Sequence, residues 1–145
     1  MFKKILVPVD GSETAWRALN NALEIGKKFE SEILVVNVIK PNNNAALLAV
    51  TLDHATINQG NSELEKVGDK VLELAKEMVG SYPHKVEYDM EVGHPSERII
   101  ALSKKVEADA IVLGSRGLSG IAEFFLGSVS STVSQYATVP VRIVK

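Results

Sequence analysis

The chain of 145 residues has no cysteine. That removes disulfides, thiol nucleophiles and thiolate metal sites, and it suits a reducing compartment. An excess of either charge is missing too: 16 Lys and Arg stand against 18 Asp and Glu, a formal net charge of -2. Without a basic cluster there is no electrostatic footprint for a nucleic acid, and none is expected as a partner. No apolar run approaches the roughly 20 residues that span a bilayer. The opening MFKKILVPV runs straight into a strand pattern with no signal-peptide core, so a cytoplasmic location without membrane contact is expected.

Several catalytic signatures are also absent. Ser119 does not complete a G-x-S-x-G elbow, and no serine, histidine and carboxylate form a recognisable nucleophile motif. His54, His84 and His94 are scattered without an H-x3-H pair, so no metal site built from protein side chains is expected. The turn Asp10-Gly11-Ser12 lacks the G-x-G-x-x-G dinucleotide fingerprint, and there is no G-x4-G-K-[ST] loop, since Gly26-Lys27-Lys28 falls within a helical pattern. Without a P-loop lysine to neutralise a transferred phosphoryl group, rapid phosphoryl transfer has no support. No residue is assigned a catalytic role.

What is present is an alternation of strands and helices. Ile5 to Val9 is a β-branched apolar run of the kind buried on both faces of a parallel sheet. Asp10 to Ser12 supply turn and cap chemistry, with Glu13 placed as a capping-box partner of Asp10. Ala15, Leu19, Ala22, Leu23 and Gly26 follow at helical spacing, closed by Phe29. Ile33 to Ile39 reads as a second strand, while the segment from Pro41 to Gly60 is hard to read. From Asn61 a stripe of Leu64, Val67, Val71, Leu74 and Met78 predicts a helix, and Lys85 to Val92 alternates as an edge strand should. Pro95 suits the first turn of a helix with Ile99, Leu102 and Val106 inward. Ile111 to Leu113 is a fourth strand, Val129, Val133 and Tyr136 line a last helix, and Val139 to Val144 form a fifth strand.

This order predicts a three-layer α/β/α fold, a single domain over residues 1–145 with a five-stranded parallel sheet in the order 3-2-1-4-5. Ligands of such sheets sit beyond the carboxyl ends of the strands where the winding reverses, here between strands one and four. That crevice sets Pro8, Val9 and Asp10 opposite the stretch GSRGLSGIAEFFLGSVS, Gly114 to Ser130. Its glycines Gly114, Gly117, Gly120 and Gly127 permit positive φ and lack the Cβ that would hold a ligand off the backbone. The helix start at Ser128, Val129 and Ser130 offers unpaired amides and hydroxyls to a phosphate, with Arg116 nearby to strengthen binding. Asp10 serves as a cap, as an acceptor for a ribose or base, or as both. Phe124 and Phe125 read as a hydrophobic plug or contact surface, and Trp16 as a packing or interface residue.

These residues resemble the universal stress proteins, and within them the ATP-binding branch. The motif G-x2-G-x9-G-[ST] is met by Gly114, Gly117, Gly127 and Ser128. The opening KKILVPVDGSE, the Gly93-x-Pro95 turn and the closing VPVRIVK extend the resemblance over nearly the whole chain except Pro41 to Gly60. It implies an adenine nucleotide-binding, Rossmann-like fold that takes ATP, with Pro8, Val9 and Asp10 as a wall around the adenosine and Val38 meeting the adenine through its backbone. It further implies that Leu113, Gly114, Ser115, Arg116 and Gly117, running on to Gly120, wrap ribose and phosphates, and that Gly127, Ser128, Val129 and Ser130 bind the phosphate tail. A divalent ion, Mg2+ or Mn2+, would be held through the phosphates and water. The branch consists of cytoplasmic homodimers that act as stress-response switches or chaperone-like factors. A dimer has its own physical motive, because a fifth strand carrying Val139, Val141, Ile143 and Val144 would be an apolar edge that pairing covers. Two other functions fit less of the pattern: a slow ATPase or nucleotidyl-transfer enzyme, and a nucleotide-free dimeric interaction module.

Overall fold

Ile5, Leu6 and Val7 are fully enclosed because their strand, β1 (Lys4–Pro8), occupies the middle of a five-stranded sheet. The computed structural model describes residues 1–41, 54–117 and 127–145, apart from the side chains of 54–61. β2 (Glu32–Ile39) and β4 (Ala110–Gly114) flank β1, while β3 (Val86–Val92) and β5 (Val141–Val144) are the edges. All pairings are parallel and the order is β3-β2-β1-β4-β5, as the alternation predicts. The alternating polar pattern of β3 matches its edge place, since Glu87 and Asp89 stay in water while Tyr88 and Met90 pack inward.

Four helices, α1 (Glu13–Phe29), α2 (His54–Val79), α3 (Pro95–Lys105) and α4 (Ser128–Tyr136), connect the strands among the described residues. Ile5, Val7, Ile33 and Val35 point to the face covered by α1 and α2, and Leu6, Leu34, Val36 and Ile111 to the face covered by α3 and α4. This is the period-two division of a strand with both faces buried. None of the helices described is long and apolar enough to cross a membrane.

Several details depart from the sequence pattern. On α2, Val67 is 63% and Leu74 43% exposed, and the buried face is Gly68, Val71, Leu72 and Ala75. The cause is Gly68, where a Cβ would stand 2.8 Å from Asn37 Oδ1 and 2.9 Å from Met90 Cε. The helix lies so close to the sheet that small residues line the contact, and these carry little weight in an apolar count. α2 also begins at His54, before the expected start at Asn61. Phe29 and Tyr136 do not close their stripes: Phe29 lies outside the core against Phe2, and on α4 the inward places fall to Ser130 and Val133. β5 begins at Val141 rather than Val139, after Pro140, which has no N–H to add to a ladder.

Candidate functional site

The ladder outlasts β1 by one residue, since Val9 N–H donates to Val36 O at 2.8 Å. Asn37, buried in β2, donates from Nδ2 to Val9 O at 2.9 Å and fixes the carbonyl at which the chain leaves the sheet. Asp10 Oδ1 then accepts from Ser12 N at 2.9 Å, across Gly11 at φ 90°. The helix cap is therefore Ser12, whose Oγ accepts from Ala15 N at 3.3 Å, and the expected pairing of Asp10 with Glu13 gives way to a side-chain turn. One Asp10 oxygen closes that turn. Oδ2 faces the glycine loop, 3.0 Å from the point where a Cβ on Gly117 would stand.

On the other side of the crevice Leu113 is buried and packs with Leu6 and Val36 beneath α3 and α4. Gly114 ends β4 against α1: a Cβ there would lie 2.6 Å from Thr14 Oγ1, 2.7 Å from Thr14 C and 2.8 Å from Ala15 N. Ser115 N–H donates to Val144 O at 2.8 Å, and Ser115 is itself buried. Arg116 is half-buried, its carbonyl accepting from Thr14 Oγ1 at 2.7 Å. Positive φ occurs at Gly11, Gly80 and Gly93 but not at Gly114, Gly117 or Gly127. The glycines of the motif are thus used for closeness, not for left-handed backbone. Gly120, Phe124 and Phe125 lie outside the described residues.

The chain returns at Gly127, whose N–H donates to Ser115 O at 2.7 Å and whose missing Cβ would touch that oxygen at 3.2 Å. Gly127 is the N-cap of α4 and brings no side chain to the helix start. The first intrahelical bond runs from Ser131 N to Gly127 O at 2.9 Å, which leaves the first-turn amides of Ser128, Val129 and Ser130 without intrahelical acceptors. Ser130 Oγ is not open to a ligand as the sequence suggested. It points inward, its single proton shared between Ser115 O at 2.9 Å and Gly127 O at 3.0 Å. Ser128 stays exposed.

The fold therefore gathers Asp10, the Gly114 to Gly117 turn and the start of α4 at one end of the sheet. Pro8 pairs in register with Val36, and Val38 lies two residues further along β2, half-buried on the face of α3 and α4. Among the described residues no group of three or more His, Asp and Glu could hold a metal ion. Ser12 and Thr14 were missed as part of the site. The signal for them was a pair of hydroxyls on the first turn after strand one, of which Ser12 reads as cap chemistry and Thr14 carries no motif. Chemically the site offers an uncapped helix start with its partial positive charge, a close-packed glycine turn and one carboxylate.

A sequence profile of the Universal stress protein family matches residues 1–145. Universal stress protein YxiE of Bacillus subtilis is 35% identical over 149 residues, covering all of both chains. MJ0577 of Methanocaldococcus jannaschii is 30% identical, and its solved structure superposes with a TM-score of 0.85 over 100% of this chain and 96% of that one. A universal stress protein from Archaeoglobus fulgidus, solved in complex with dAMP, is 26% identical with a TM-score of 0.71, covering all of both chains. With the profile, the relatives and the sheet order in agreement, this chain belongs to the universal stress protein family.

Proposed function

We propose that this universal stress protein binds ATP and acts in the cytoplasm as a nucleotide-dependent stress-response switch or chaperone-like factor. The observation that carries the reading is the start of α4, where Gly127 leaves the first-turn amides uncapped beside a turn of the same motif. The complex of the A. fulgidus relative with dAMP supports an adenine nucleotide as the ligand class. In this reading Pro8, Val9, Asp10 and Val38 border the adenosine, Leu113 to Gly117 and Gly120 enclose ribose and phosphates, and Gly127 to Ser130 take the phosphate tail.

The backbone donors and Cβ-free approach fit a polyphosphate, and a divalent ion would be held by the phosphates it neutralises. Asp10 presents a carboxylate to the Gly117 turn, and one of its oxygens is occupied by Ser12 N. That favours holding over turnover, so the protein is proposed as a binder and not an enzyme. The edge place of β5 in the described sheet favours a homodimer paired along that strand.

Acid denaturation of the purified protein followed by mass spectrometry, with calorimetry using Mg·ATP, tests the reading. The expected result is released adenine nucleotide or saturable ATP binding, abolished in folded Gly117→Val and Gly127→Val variants. Absence of both nucleotide and binding overturns it. More than one equivalent of product per site above an Asp10→Ala control would favour an enzyme.

A further inference from the structure

One carbonyl of the glycine turn is held toward the first turn of α1. Arg116 O accepts from Thr14 Oγ1 at 2.7 Å and is reached by Ser12 Oγ at 3.4 Å. The first distance is that of a well-formed hydroxyl–carbonyl bond and the second lies at the outer limit, so Thr14 carries the contact. Thr14 is only 6% exposed in the first turn of α1, and its β-branched side chain has few rotamers. Gly114 brings that turn so close to the end of β4 that the hydroxyl sits directly against the loop.

A trans peptide is planar, with C=O and N–H on opposite sides. Holding Arg116 O toward α1 therefore turns the N–H of Gly117 away from α1. Gly117 N stands 3.7 Å from the point where a Gly127 Cβ would be, beside the N-cap of α4. This amide thus neighbours the uncapped first turn. A reversed peptide would put a carbonyl oxygen there instead, repelling a phosphate, and glycine at 117 makes such a reversal sterically easy.

We propose that Thr14 is a positioning residue of the nucleotide site, holding the Arg116–Gly117 peptide so that its N–H is presented to a phosphate oxygen. The proposal rests on the nucleotide reading. A merely structural role, a latch between α1 and the loop, would lower stability without sensing which part of the ligand is bound.

Calorimetry of Thr14→Val and Thr14→Ser with Mg·ATP and with adenosine separates the two. Loss of one orienting hydrogen bond is expected to weaken ATP about tenfold in Thr14→Val, with adenosine affinity unchanged and Thr14→Ser close to wild type. In 13C,15N-labelled protein without ligand, the Arg116 carbonyl resonance should move in Thr14→Val and return in Thr14→Ser. Should Thr14→Val not fold, Thr14→Ala carries the same expectations. Unchanged ATP affinity, or equal losses for ATP and adenosine, overturns the proposal. Wild-type protein that binds no ATP overturns the nucleotide reading instead. The peptide orientation is then judged by the Arg116 carbonyl and by the response of the Gly117 amide to inorganic pyrophosphate, and no effect of Thr14→Val on either overturns it.

Discussion

Replacing Gly114 by alanine tests whether closeness is why glycine stands at the end of β4. The new methyl would lie 2.6 Å from Thr14 Oγ1, 2.7 Å from Thr14 C and 2.8 Å from Ala15 N. Two of those atoms are backbone, in a turn capped by Ser12 and followed by the buried Ala15, Ala18, Leu19, Ala22 and Leu23, so they cannot swing aside as a side-chain tip could. The carbon–carbon approach falls about 0.8 Å short of a comfortable separation of roughly 3.5 Å, and α1 must move off the sheet. Overpacking of this kind costs about 1–3 kcal/mol, offset by about 0.4–1 kcal/mol because alanine restricts the unfolded chain. A net loss of about 1–2 kcal/mol is expected, or roughly 3–6 °C in Tm for a chain of this size. Urea unfolding followed by far-ultraviolet circular dichroism reads it as a lower midpoint at unchanged slope. Gly127→Ala is the control: its nearest neighbours, Ser115 O at 3.2 Å and Arg116 Cα at 3.3 Å, are tight without overlap, so it should lose less stability. A Gly114→Ala midpoint at or above wild type would refute the packing argument.

Tyr82 gives a pH dependence with a defined sign. Its hydroxyl donates to Ser31 O at 2.7 Å, and burial raises its pKa above the ordinary 10.0. The folded protein then holds the proton more tightly than the unfolded chain, so stability is full below pH 10 and declines as pH rises through the raised value. Tyr82→Phe should start from a lower Tm and fall less steeply as pH rises above 10, and parallel curves would contradict this assignment. Pairing along β5, an edge of the described sheet, is expected to show as a dimer in sedimentation at micromolar concentration, and a monomer there would count against edge pairing.

The strand order was legible because the sheet is buried on both faces, and Ile5 to Val7, Val35 to Val36 and Ile111 to Leu113 stand out as unbroken apolar runs. The face of α2 was not, since Gly68 and Ala75 place a helix by being small and an apolar count overlooks them. In the site, the glycine spacing and the Pro8 to Asp10 turn were visible as motifs. Their mutual contacts were not, because Thr14 meets Arg116 across 102 positions of sequence and Ser130 turns its hydroxyl toward Ser115 only once β4 and α4 have met. Glycine as a letter also could not distinguish left-handed backbone from tight packing. Gly11 serves the first purpose and Gly114 the second.

Ser115 has both of its backbone groups committed: its N–H joins the last rung of β5, and its carbonyl accepts from Gly127 N and Ser130 Oγ. The Ser115–Gly127 bond of 2.7 Å works as a knot that ties the end of β4 to the start of α4. With that knot tied, the donors of the first turn of α4 keep their places beside Ser115. Because closing a loop costs only about 0.6 kcal/mol more for each doubling of its length, the closure at Ser115 and Gly127 depends little on how much chain it spans. The fold thus sets the seat of the first-turn amides at the two ends of a closure, and their spacing is held by one backbone bond and one hydroxyl.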